Sequence, residues 1–443
     1  ERIAIDGQQL SDDDFVDTWD QIKDLVAMVD MKMEELDKPK MSFFEVLTAM
    51  AIWKFADAPV DVAIVEVGMG GRWDATNVLD ADAAIIGPID MDHMAWLGNT
   101  VEQIASEKVG IIKPGCTAVI GRQPHEEAVM PIIEEAARQN HANLVRDGVE
   151  AEVVTRIPAV GGQVATLRTP NGTYAEVPIA KFGEHQAHNA LAALCAAEVV
   201  IPVNGALDGD LVAEALSTVR IPGRIEQIRT SPTIILDGGH NVNAAESLRA
   251  AIEENYDFQQ LVGVIAMMGD KQVEEYLGVL EPLLSHVVVT ENSWRDRVMP
   301  AEDLKTVAER VFGAERVTCV PELPDAIQEA VNMVDADDEL GVGYGHGVLI
   351  CGSFTTAGDA RLMLEEKVNP DLKKPKSERV FQEAVEPEPR KDQDEADFDF
   401  ESDANPDFDI NDFGSVGPDL AEDEDADASE VEHADAASSE DVR

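Results

Sequence analysis

The densest chemical signal is Val65-Glu66-Val67-Gly68-Met69-Gly70-Gly71-Arg72-Trp73-Asp74-Ala75-Thr76-Asn77. A carboxylate, Glu66, ends a short apolar run and a glycine-rich turn follows. Catalytic groups collect at the carboxyl ends of parallel strands, where loops leave the sheet. The GxGG spacing is not the GxGxxG dinucleotide pattern, and no βαβ unit frames it. Taken alone, the segment fits a tight structural turn with a solvated Glu66 about as well. A second cluster, Asp90-Met91-Asp92-His93, sets an imidazole among acids just ahead of Trp96. A lone histidine is more often structural than a ligand, and these neighbours tilt His93 only modestly toward a site. Lys108 lies on a helix in Ala105-Ser106-Glu107-Lys108-Val109-Gly110-Ile111-Ile112-Lys113-Pro114-Gly115 and by itself reads as a solvated charge.

Later in the chain, Asp237 ends another apolar run, and His240 follows in Asp237-Gly238-Gly239-His240-Asn241. That is where an α/β sheet presents a ligand site. The plain alternative for Asp237 is an N-cap for the helix after Asn241. Arg224 carries a planar fork of donors suited to phosphate; standing alone it would be a surface ion pair. Ser353 follows the last apolar run, in Gly352-Ser353-Phe354.

The elements that must position these residues follow from periodicity and caps. Ser11 and the acids Asp12–Asp14 open a helix in which Phe15, Trp19, Ile22, Val26, Val29 and Met33 recur at helical spacing. A second helix is predicted over 43–55. Strands are predicted at 62–67, 83–86 and 117–120. Thr100-Val101-Glu102-Gln103 is a capping-box pattern for the helix carrying Lys108. Between 151 and 180 the pattern becomes hairpins, with Asn171-Gly172 as a turn. An alanine-rich helix follows over 187–200. From 223 to about 368, strands at 233–236, 261–266, 286–290, 316–320 and 348–351 alternate with helices, which argues a mostly parallel covered sheet.

The chain has 443 residues, with 34 Lys+Arg against 88 Asp+Glu and a formal net charge of -54. Such a balance excludes nucleic-acid wrapping and binding to anionic membranes. No run of about 18 uncharged apolar residues is present, so no membrane span is predicted. No signal peptide is read at the start, and Cys116, Cys195, Cys319 and Cys351 lack CxxC spacing, as expected of buried thiols in a reducing cytoplasm. Residues 377–443 hold 25 acids and 4 bases, while 1–376 hold 63 acids and 30 bases. An excess spread over the folded part suits the high-salt cytoplasm of an extreme halophile, where repulsion is screened. A generally acidic mesophilic protein is the simpler alternative. From about 371 the composition predicts disorder.

At the three segments around Glu66, His93 and Lys108 the sequence strongly resembles folylpolyglutamate synthase and dihydrofolate synthase, members of the Mur ligase superfamily. Gly183-Glu184-His185-Gln186-Ala187-His188-Asn189-Ala190, Pro222-Gly223-Arg224 and the Asp237–Asn241 loop extend the match, which covers roughly residues 1–368. The resemblance implies an α/β fold with a Mur-ligase-like central ATPase domain (1–221), a Rossmann-like C-terminal glutamate-ligase domain (222–370) and an acidic tail (371–443). It implies an ATP-dependent amide ligase: a folate or dihydropteroate carboxylate takes the γ-phosphoryl group of ATP, and the amine of L-glutamate displaces phosphate from the acyl phosphate. By the same resemblance Glu66 and His93 are ligands of Mg²⁺, and Lys108 is carbamylated and helps hold that ion. Asn189, Arg224 and Asp237 contact ATP, His240 acts beside them, and Ser353 stands on the glutamate side. A monomer is implied.

Two departures from the family pattern stand out. Its Asp-Gly-Ala-His-Asn-Pro reads Asp-Gly-Gly-His-Asn-Val here, and no GxxGK[ST] phosphate loop occurs anywhere in the chain. Because the other ATP-facing residues are kept, the expectation is a fragment of a longer ligase whose phosphate loop lies about 50 residues upstream of Glu1. A non-catalytic partner that kept the fold, or a sister Mur ligase acting on another carboxylate, are the alternatives. The Asp-Ala-Thr-Asn and Gly-Glu-His-Gln segments favour the folate branch.

Overall fold

In the computed structural model, which describes residues 2–92, 94–203, 205–336 and 345–364, the local signals near the start do what their chemistry dictates. Asp6 and Gly7, both at positive φ, turn the hairpin of β1 (Ala4–Ile5) and β2 (Gln8–Gln9). The Ser11 hydroxyl accepts the Asp14 N–H to open α1 (Asp12–Glu35). Ser42 and Glu45 form a reciprocal capping box that opens α2 (Phe43–Asp57). The two helices pack through Ile22, Val26, Leu47 and Met50.

The first departure comes next. Residues 62–67, expected as a strand, form none, and Ile64 is 92% exposed. A strand needs a neighbour that takes its backbone hydrogen bonds and buries its side chains. The adjacent sheet offers no such partner among the described residues. It is three parallel strands in the order β3 (Ala83–Ile86), β4 (Thr117–Ile120) and β5 (Asn143–Arg146), so β3 is an edge, with Ile85 44% exposed.

After β3 come the short α3 (Met94–Leu97) and α4 (Val101–Lys108), then β4 (Thr117–Ile120), α5 (Glu126–Gln139) and β5 (Asn143–Arg146). Thr100 caps α4, but the reciprocal half of the box goes elsewhere: Gln103 Oε1 accepts the N–H of Asn99, one residue upstream of the cap. The predicted hairpins are present as an antiparallel sheet of β6 (Glu152–Ala159), β7 (Gly162–Arg168) and β8 (Thr173–Ile179). α6 (Glu184–Val200) starts three residues before its alanine-rich part, because Gly183 at φ 90° turns the chain into it. Together with α7 (Gly209–Thr218) it covers this sheet through Leu191, Leu194 and Val212.

The C-terminal half is a six-stranded sheet that is parallel except for one edge. Its members are β9 (Glu226–Thr230), β10 (Thr233–Leu236), β11 (Gln260–Ile265), β12 (His286–Val289), β13 (Val317–Cys319) and β14 (His346–Cys351). Their spatial order is β13-β12-β11-β14-β10-β9, with β9 antiparallel. The central strands are near-continuous apolar runs because helices cover both faces. α8 (Val242–Asn255), α9 (Val273–Leu280) and α10 (Ala301–Phe312) lie on one face, and α11 (Leu323–Ala336) and α12 (Phe354–Leu364) on the other. β14, last in sequence, sits between β10 and β11, so the loops after all three strands leave the same end of the sheet. The described residues all fall in one compact unit of the chain, Glu1–Gln382, and among them no helix is long and apolar enough to cross a membrane.

Candidate active site

Glycine lets the two motif segments of the first half touch. A Cβ on Gly71 would lie 2.7 Å from the Glu107 carbonyl and 2.9 Å from that of Lys108. The strap at Gly71-Arg72 therefore rests directly on the end of α4. The Arg72 N–H donates to Glu107 O (2.9 Å), Asn77 donates to the carbonyls of Arg72 and Gly110, and Lys113 Nζ donates to Asn77 O (2.6 Å). Asp74 folds the strap on itself by accepting the N–H groups of Met69 and Thr76. The product is a fixed, half-buried Lys108. Burial pushes its pKa below the ordinary lysine value, and the charge of Asp92 opposes that shift. Lys108, Asp90, Asp92, Gly70 and Asn241 line a cleft of about 320 Å³ between the two halves of the chain.

Asp92 connects those halves. Its Oδ1 accepts from Lys271 Nζ at 2.9 Å, and its Oδ2 accepts from Asn241 Nδ2 at 3.2 Å and lies 3.7 Å from His240 Nε2. Lys271 belongs to the loop after β11, and nothing in its sequence neighbourhood singled it out. The available signal was a lysine following a buried strand in an α/β pattern.

The 237–241 loop is built from within. Asp237, 5% exposed, accepts the Gly239 N–H on Oδ1 (2.8 Å) and the Ile225 N–H on Oδ2 (3.0 Å). Ile225 sits at φ 45°, which is strained for a β-branched residue, in the turn that aims its N–H at this carboxylate. Burial raises the Asp237 pKa, and the two backbone N–H groups oppose the rise. The helix cap suggested for Asp237 falls to Asn241 instead, whose Oδ1 accepts the Ala244 N–H. Tyr276 on α9, fully buried, donates to the Gly239 carbonyl at 3.1 Å and fixes the loop from below. Arg224 stacks its guanidinium 4.3 Å from the centre of the Phe354 ring, so it is not the surface ion pair that a lone arginine suggests. Ser353, 2% exposed, accepts the N–H groups of Thr355 and Thr356 and so serves as a cap at the start of α12.

Asn189 lines a second, larger cavity of about 720 Å³ between α6 and α8. His185 in its wall has its pKa lowered to about 4, by burial first and then by Arg224. One turn along α6, the Asp147 carboxylate, 2.6 Å from His188, raises that imidazole instead.

Among the described residues the expected magnesium ligands do not converge. Glu66 is exposed and does not line the cleft, and His93 lies outside the described residues. Asp92 is engaged by Lys271 and Asn241, and Asp90 lies 3.0 Å from His125. Among the described residues no three His, Cys, Asp or Glu side chains could hold a metal ion. As arranged, the described residues do not fit the ion.

Comparison with known families and proteins gives matches in both halves of the chain. Residues 19–197 match the Mur ligase middle domain and residues 223–354 the Mur ligase glutamate ligase domain. The dihydrofolate synthase/folylpolyglutamate synthase of Mycobacterium tuberculosis is 43% identical over 379 residues, covering 82% of this chain and 77% of that protein. The protein of the same name from Bacillus subtilis is 32% identical over 371 residues, covering 82% of this chain and 81% of that one. A crystal structure of the Mycobacterium tuberculosis folylpolyglutamate synthase, from work on its complexes with ADP and AMPPCP, superposes with a TM-score of 0.77 over 82% of this chain and 81% of its own.

Proposed function

The chain belongs to the dihydrofolate synthase/folylpolyglutamate synthase family of Mur ligases, and from that membership we propose how its residues serve the ATP-dependent joining of L-glutamate to a folate or dihydropteroate carboxylate. A carboxylate oxygen of the acceptor takes the γ-phosphoryl group, and ADP leaves. The neutral amine of glutamate attacks the acyl carbon, the C–O bond to phosphate breaks, and the amine gives up a proton. Such transfers are accelerated mainly by holding the partners in line and by donors aimed at developing charge.

The observation that carries the reading is the meeting of the Lys108 cleft with the 237–241 loop at Asp92. Arg224 is our choice for phosphate and Asn189 for the nucleotide base, in the cavity between α6 and α8. Asp237 serves by shaping its loop, because both its oxygens are occupied by backbone N–H groups. His240, poised over Asp92, stands where the glutamate amine must shed its proton. The lowered pKa of Lys108 makes its amine easier to obtain neutral, the form that carbon dioxide would carbamylate. The acidic excess we read as adaptation to high salt, and the four free cysteines as suited to a reducing cytoplasm.

The test is ATP hydrolysis by the whole gene product with dihydropteroate or tetrahydrofolate as acceptor. Hydrolysis that requires both acceptor and glutamate, and a product heavier by one glutamyl residue, are expected. ATP turnover indifferent to glutamate would overturn the reading.

A further inference from the structure

Among the described residues, the ion pairs that join the first half of the chain to the second include Arg156–Glu254 and, at the lip of the cleft, Lys271–Asp92. Lys271 Nζ and Asp92 Oδ1 are 2.9 Å apart, with the lysine side chain 11% exposed and the aspartate 27%. Neither group is free to wander. The Lys271 loop is pinned by the Met268–Val298 bridge, by the Gly269 N–H donating to Arg297 O (3.1 Å) and by the Arg297–Asp270 ion pair (3.4 Å). Asp92 receives Asn241 from the helix start beside the 237–241 loop. Residues 1–376 carry 63 acids against 30 bases, so two halves of one chain meet here under net repulsion. A lysine that crosses the gap to an acid offsets that repulsion where the transfer must occur.

We propose that the Lys271–Asp92 pair is a latch that holds the two halves closed across the Lys108 cleft, and that Lys271 is thereby a positioning residue for transfer to glutamate. The latch itself stands on geometry. Only its kinetic consequence rests on the ligase reading above. A latch of one lysine on one aspartate, partly exposed and flanked by Asn241 and His240, is strong enough to favour closure and weak enough to let substrates in and product out.

The experiment is a double-mutant cycle in the whole chain: Lys271→Met, Asp92→Asn and both together, with Lys271→Arg as the conservative control. Small-angle scattering without ligand reads closure, and glutamate-dependent ATP hydrolysis reads its consequence. Each single neutral variant is expected to enlarge the radius of gyration and to lower kcat/KM for glutamate about tenfold. The double variant should be no worse than either single one, and Lys271→Arg should stay compact and active. Unchanged scattering in both single variants, or losses that simply add in the double, would overturn the latch. Should Lys271→Met fail to fold, Asp92→Asn against Lys271→Arg makes the same decision. An absence of glutamate-dependent turnover in every form would count against the ligase reading, while the scattering would still decide the latch.

Discussion

Asp237 and Glu66 are both carboxylates that end an apolar run and open a glycine-rich loop, yet the fold treats them oppositely. Before Asp237, the residues Ile234, Ile235 and Leu236 are each 0% exposed, and β10 is paired with β14 on one side and β9 on the other. Before Glu66, Val62, Ile64 and Val65 are 43%, 92% and 38% exposed, and no ladder forms. The carboxylate that is walled in has both oxygens occupied and its loop fixed from below by Tyr276. The other is followed by a strap that Asp74 and the contact of Gly71 with α4 hold in place. An apolar run supplies the wish to be a strand; neighbours that take its hydrogen bonds make it one. A carboxylate at a strand end inherits its precision from that pairing.

The largest expected effect lies on the walled-in side. Asp237→Ala strands the buried N–H groups of Ile225 and Gly239 and removes what holds Ile225 in its strained turn. We expect a loss of about 3 kcal/mol in urea unfolding. A loss below about 1 kcal/mol would mean that the loop is fixed by Tyr276 and the sheet rather than by the carboxylate, and the contrast would weaken.

A middling effect is expected at the strap. Gly71→Ala drives a Cβ into two backbone carbonyls, which have no rotamer by which to yield. Forced overpacking of this kind costs about 2 kcal/mol and should shift the end of α4 that carries Lys108. Gly269→Ala, where a Cβ would meet open space, is the control for the change in residue type. Equal melting temperatures for the two variants would show that the strap floats, and would deny the Glu66 region the one rigid feature assigned to it.

The smallest effect is expected at Glu66 itself. Its side chain is exposed, so Glu66→Gln should change stability by no more than about 0.5 kcal/mol, read by the same urea unfolding. A loss of several times that size would show that the carboxylate is already engaged in the free protein, and the two regions would be more alike than their geometry says.

Much of this was legible in the residues alone. Helix starts were fixed by Ser11 and Thr100, because a hydroxyl that satisfies a free backbone amide acts within three residues and needs no tertiary help. The parallel sheet of the second half was legible because its strands are apolar on both faces, which only a helix-covered sheet can bury. The motifs around Glu66, Lys108, Arg224 and Asp237 carried the family.

What the chain could not announce were the relations between distant segments. That Lys271 would reach Asp92, that Tyr276 would hold Gly239, that Arg224 would lie on Phe354 and that Ser353 would serve as a cap all depend on which loops leave the same end of the sheet. The strand expected before Glu66 failed for a kindred reason. Side-chain alternation and apolarity are properties of a segment, whereas hydrogen-bond partners and burial are properties of what surrounds it, and only the tertiary structure supplies or withholds those.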